Sequence, residues 1–179
     1  MSSSSWIDWL ANHLEKKRPV DHSPRIAVIG IGNTLNGDDG AGVAVVRALR
    51  RAFYSGELPG AVTEIGRILL VEAETAPEAF TGVIRGFQPE WVILVDAANL
   101  GEPGGTVQVF DWSEATGMSA STHTLPPSIL AHFLLEEIHC RVVIIGIQPV
   151  SLEFDRPISS RVRASVEQVS QVLLEYIQS

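Results

Sequence analysis

Three continuous apolar runs organise the chain: Arg25 to Gly32 (RIAVIGIG), Trp91 to Ala97 (WVILVDA) and Arg141 to Ile147 (RVVIIGI). Short runs without polar alternation suit strands buried on both faces of a parallel sheet. Between them the apolar spacing turns helical. Val43, Val46, Ala48 and Leu49 form a stripe up to about Tyr54, with Arg47, Arg50 and Arg51 in the last turns, where cations favour the helix dipole. Val62 to Ala73 reads as a strand, and Pro77 to Phe87 as a helix opened by Thr75. Thr106 to Phe110 is a further strand, free to run antiparallel. Pro126 or Pro127 starts a helix carrying Ile129, Leu130, Phe133 and Leu134, and Ile158 to Ile177 is a long closing helix. The alternation predicts an α/β fold, a three-layer α/β/α sandwich on a mostly parallel sheet.

Upstream, Trp6, Ile7, Trp9, Leu10 and Leu14 share helical spacing, predicting an amphipathic helix that ends near Lys17, before Pro19. We read residues 1–24 as a helical extension that packs on the parent domain, and 25–179 as one α/β domain. The 179 residues suffice for one substantial core. No apolar run approaches the roughly 20 residues that a membrane span needs. The N-terminal residues lack the charge order of a secretory signal, so a cytoplasmic setting is expected. A net charge of −8 disfavours nucleic acid, whose backbone selects clustered Lys and Arg. The single cysteine, Cys140, supports neither a disulfide nor a thiolate cage and is expected buried and inert.

In an open parallel sheet, ligands gather at the carboxyl ends of the strands. Asp38 and Asp39 lie in the loop after the first apolar run, Asp96 ends the apolar part of the second, and His123 sits in the loop STHTLPP. The stretch GIGN suggests a dinucleotide loop, but Leu35 stands where the third glycine of the fingerprint belongs, and no Lys-Ser/Thr pair follows to hold phosphate. Adjacent carboxylates favour cations instead. One of Asp38 and Asp39 is open to a role as helix cap while the other binds. If buried, Asp96 must be paired, hydrogen-bonded or metal-bound. His13, His22, His132 and His139 read as surface positions. Two carboxylates and one imidazole from three loops form an incomplete set suited to nickel, zinc or iron. H-E-x-x-H and G-x-S-x-G are both missing, and Cys140 belongs to no catalytic motif.

The segments IGIGNTLNGDDGAGVAVVRAL, ETAPE, VILVDAANLGEPGGTVQVFD, STHTLPPSIL and IIGIQP, in this order, resemble the signature of the nickel-iron hydrogenase maturation endopeptidases. The STH loop and the IGIQP strand end look most like the branch serving formate-hydrogenlyase-type, or group 4, enzymes. The resemblance implies an α/β sandwich with Asp39, Asp96 and His123 as metal ligands and catalytic residues, and Asp38 beside them shaping the site. It also implies a partner and a cofactor: a hydrogenase large-subunit precursor already holding nickel, whose C-terminal peptide is then removed. Other divalent metals are expected to substitute. Family members often carry a glycine pair where this chain has Ala73 and Glu74, so the backbone is expected to differ there. Glu72 and Glu74 are read as solvent-facing or capping. Two rival readings stay open: a non-catalytic nickel-dependent chaperone or sensor for the same precursor, and a nucleotide- or flavin-binding module suggested only by GIGN.

Overall fold

The computed structural model describes residues 3–15, 23–54, 60–111 and 127–178. Its elements in order are helix α1 (Ser3–Glu15), strand β1 (Ile26–Ile31), a 3-10 turn (Gly37–Gly40), α2 (Ala41–Phe53), β2 (Val62–Ile65), β3 (Ile68–Glu74), a second 3-10 turn (Pro77–Phe80), α3 (Thr81–Phe87), β4 (Trp91–Ala97), β5 (Val107–Asp111), α4 (Pro127–Ile138), β6 (Arg141–Ile147) and α5 (Ser160–Gln178). The six strands form one sheet in the order β2-β3-β1-β4-β6-β5. Its four central strands are parallel, and the edges β2 and β5 run antiparallel to β3 and β6.

The uninterrupted apolar strands are explained by helices on both faces. Successive side chains alternate between faces. On one side Ile26, Val28, Ile93, Val95, Val143 and Ile145 pack with α1, α2 and α5. On the other, Ala27, Ile29, Val92, Leu94, Val142 and Ile144 pack with α3 and α4. The α1 stripe of Trp6, Leu10 and Leu14 joins the first face, so this helix packs on the domain as its spacing suggested. The Cys140 thiol is buried and donates to the Leu134 carbonyl at 3.5 Å, and burial pushes its pKa up to about 11.

Several local expectations are corrected. The single strand expected from Val62 to Ala73 is a hairpin, folded at Gly66 and Arg67, with Ile65 opposite Ile68 and Gly66 at φ +56°. Both arms are rich in β-branched and aliphatic residues and the turn is only two residues long, so strand propensity alone runs through it. Thr75 does not open the next helix: Ala76 precedes a 3-10 turn started by Pro77, which needs no N–H partner. Neither Asp38 nor Asp39 caps α2, which begins at Gly40 without a side-chain cap. His132 and His139 are exposed as expected. By contrast, His13 is half-buried, stacked on Trp9 at 4.1 Å and 3.7 Å from the Asp111 carboxylate, because α1 lies down on the sheet. His22 is outside the described residues.

Candidate functional site

From β1 the chain moves to β3 on one side and then, through α3, to β4 on the other. The carboxyl ends of β1 and β4 therefore flank a topological switch point, where open α/β sheets form their crevice. The loop after β1 carries Asp38 and Asp39, and Asp96 is the penultimate residue of β4.

Close backbone packing brings these segments together. A Cβ on Gly42, in the first turn of α2, would lie 2.0 Å from the Val95 carbonyl oxygen and 2.5 Å from that of Ile31. Only glycine lets the helix start sit so tightly on the strand ends. A Cβ on Gly32, at φ +123°, would lie 1.8 Å from the Asp39 carbonyl oxygen. The result is that Asp39, three residues before Gly42, and Asp96, next to Val95, are near enough to interact electrostatically.

The three aspartates differ in what satisfies them. Asp38 is buried and saturated: it accepts from the amides of Val150 (2.8 Å), Ser151 (3.1 Å) and Ser159 (2.6 Å) and from the Ser159 hydroxyl (2.9 Å). It ties the loop after β1 to the segment after β6 and to the start of α5, and thus shapes the site as a structural anchor. Asp39 is buried and accepts from the Asn33 amide at 2.8 Å. Asp96 is buried, and its pKa is pushed up to about 7, first by desolvation and then by the Asp39 charge, against a backbone hydrogen bond at Ala97. Among the described residues neither Asp39 nor Asp96 has an ion-pair partner.

Two buried, interacting carboxylates with no cation beside them among the described residues are an electrostatically incomplete arrangement. A divalent ion would supply the missing positive charge, and hard oxygen donors suit nickel, zinc or iron when an imidazole joins them. Among the described residues no third His, Cys, Asp or Glu completes a metal-binding group. His123 falls in the stretch 112–126, outside the described residues.

Sequence reasoning missed a second acidic feature. Glu72 is neither solvent-facing nor a cap: it accepts from Arg47 Nε at 2.8 Å and from Arg50, which is itself buried. Glu74 is exposed, with Arg47 3.9 Å away. Its φ of +49° shows that the backbone adopts the left-handed conformation there without glycine, and its carbonyl accepts from the Gly32 amide at 2.9 Å. The only early signal was spacing: Arg47 and Arg50 share a helix face, but their partner lies 22 to 25 residues on.

Comparison with known proteins follows this geometry. The family model described as HycI, hydrogenase maturation protease, matches residues 43–176. A Methanocaldococcus jannaschii protein that bears a hydrogenase maturation protease name is 35% identical over 154 residues, which are 86% of this chain and 89% of that protein. The hydrogenase 3 maturation protease of Escherichia coli K12 is 29% identical over 80% of this chain and 85% of its own length. The crystal structure of a NiFe hydrogenase maturation protease HycI from Thermococcus kodakarensis aligns with a TM-score of 0.74 at 29% identity, covering 87% of this chain and 94% of that one. Its likeness agrees with the α/β fold expected from the strand pattern.

Proposed function

Because the chain belongs to the hydrogenase maturation protease family and is a peptide hydrolase by that membership, we propose that it removes the C-terminal peptide of a hydrogenase large-subunit precursor after nickel insertion. The observation that carries the metal part of this reading is the pair Asp39 and Asp96, buried together at the switch point with no ion-pair partner among the described residues. In this reading the nickel belongs to the substrate. Asp39, Asp96 and His123 complete its coordination and bring the scissile peptide alongside. A precursor without nickel would lack the charge that offsets the two carboxylates and would bind poorly, so loading is checked by differential affinity.

The hydrolytic step has two forms within this reading. A carboxylate of the crevice acts as general base on water. Alternatively, the substrate's metal polarises the carbonyl while the carboxylates hold it in place. The STH loop and IGIQP strand end favour the large subunit of a formate-hydrogenlyase-type or related group 4 hydrogenase as substrate. A cytoplasmic setting belongs to the same reading. Among the described residues no helix is long and apolar enough to cross a membrane.

The test is mass spectrometry of a large-subunit precursor incubated with the purified protein, with and without nickel. Loss of one discrete C-terminal peptide from the loaded precursor alone supports the proposal. Cleavage of both forms removes the nickel check. Binding of the loaded precursor without cleavage replaces the peptidase by the chaperone reading.

A further inference from the structure

Four of the eight large apolar side chains exposed among the described residues lie in two neighbouring loops at one end of the sheet: Leu35 after β1, and Val150, Leu152 and Phe154 after β6. Phe154 is 73% exposed. These loops are built against each other. The Asp155 amide donates to the Leu35 carbonyl at 2.8 Å, Asn36 forms an isolated parallel bridge with Arg156, and the Asp38 amide donates to the Ser151 carbonyl at 3.0 Å. Asp38 then holds the Val150 and Ser151 amides from its side chain. The backbone is fixed from the core side, while alternate residues turn apolar groups outward.

A cavity of about 250 Å³ opens beside this surface, lined by Asn99, Gln148, Pro149, Val150, Ser151 and Leu152. It lies just beyond Asp96, which pairs in register with Gly146, two residues before Gln148. The cavity is below the roughly 300 to 1,000 Å³ of small-molecule sites, and suits one or two side chains of a longer chain. Its rim is acidic. Glu102, Glu153 and Asp155 are exposed, and the one cation in these segments, Arg156, is already 3.1 Å from Glu153.

We propose that this surface is the docking groove for the precursor's extended peptide segment beside the scissile bond, with a large apolar side chain in the Asn99–Gln148 cavity and Lys or Arg side chains against Glu153 and Asp155. The inference rests on the peptidase reading above and adds the substrate's chemistry. Continuity with Asp96 and Asp39 makes a peptide laid along the groove pass the carboxylate pair. Charge complementarity selects basic over acidic segments. Burial of exposed apolar side chains supplies affinity at about 1.5 to 3 kcal/mol each, or roughly ten- to a hundredfold per residue.

The test uses the full chain with two double variants, Leu152→Ser/Phe154→Ser and Glu153→Lys/Asp155→Lys. The substrates are the nickel-loaded precursor and a fluorescein-labelled synthetic peptide copying its C-terminal region. All four positions are exposed, so the apolar variant should keep the thermal midpoint of the parent, and the charge variant, which loses the Glu153–Arg156 pair and puts Lys at φ +54°, should fall by only a few degrees. The expected result is a KM raised at least about tenfold for the apolar variant with kcat retained. The charge variant should show a several-fold rise, with weaker dependence of KM on salt. Unchanged KM and unchanged peptide anisotropy in both variants would overturn the groove while leaving the peptidase reading intact. If the parent binds the peptide but does not cut the precursor, the peptidase reading fails and the groove is judged by anisotropy alone. A parent that sediments as a dimer, and variants that do not, would assign the surface to a second copy of the chain instead.

Discussion

On either side of β1, its two neighbours bring carboxylates to the same end of the sheet, Glu72 partly buried and Asp96 buried, with opposite outcomes. Glu72 on β3 is clamped by the guanidiniums of Arg47 and Arg50. Asp96 on β4 meets another carboxylate, Asp39, and no cation among the described residues. The first is a closed arrangement: with Glu74 3.9 Å from Arg47 as the second acid, its charges cancel within the fold. The second leaves a negative charge that no cation among the described residues neutralises. Burial alone therefore does not distinguish a structural acid from a functional one; the identity of the nearest charged neighbour does.

The largest expected effect lies on the open side. Asp39→Ala and Asp96→Ala should each lower precursor cleavage by about a thousandfold while leaving the circular dichroism spectrum unchanged. Retained cleavage in either would remove that residue from the ligand set. On the closed side, Glu72→Ala should leave the fully folded enzyme's kcat intact but cost about 2 kcal/mol in urea unfolding, since it removes the charged hydrogen bonds from Arg47 and Arg50. A loss well under 1 kcal/mol would mean that other groups compensate Arg50, and the contrast with Asp96 would weaken.

Asp96→Asn should stabilise the metal-free protein while abolishing cleavage. The folded-state pKa, about 7, is above the ordinary value of 3.8. The carboxyl therefore burdens the fold progressively as pH rises from about 4 to about 7, and the burden is complete above that window. Three pKa units set a ceiling of about 4 kcal/mol, and about 2 kcal/mol of gain is expected at pH 8, because the amide still needs partners. At pH 4 the variant and parent should unfold at the same denaturant concentration. The smallest effect concerns the end of β3: Glu74→Gly should add about 1 kcal/mol of stability by relieving a left-handed non-glycine residue. A loss would show that the interaction with Arg47 outweighs the backbone cost.

The mostly parallel sheet and both helical layers were foreshadowed where apolar runs exceeded anything a half-exposed strand needs. Asp39 and Asp96 were legible because polar residues directly after such runs fall at the sheet's carboxyl end. The hairpin at Gly66 was hidden, since Val62-Thr63-Glu64-Ile65 and Ile68 to Val71 both suit a strand and only two residues, Gly66 and Arg67, separate them. Asp38 looked like a cap because capping is a local rule, but its acceptor groups are filled by residues 112 to 121 positions away. The Glu72 pairing was hidden for the same reason, as ion pairs between a helix and a strand leave no periodic trace.

The Asp38 anchor also has a kinetic meaning. One carboxylate holds the amides of Val150, Ser151 and Ser159, so the loop bearing Asp39 and the entrance to α5 open together. In hydrogen exchange these three amides should behave as a single cooperative unit, with a common opening free energy. Replacing Asp38 by Ala should release all three at once, and with them the position of Asp39, although Asp38 itself is spent entirely on holding the two segments together.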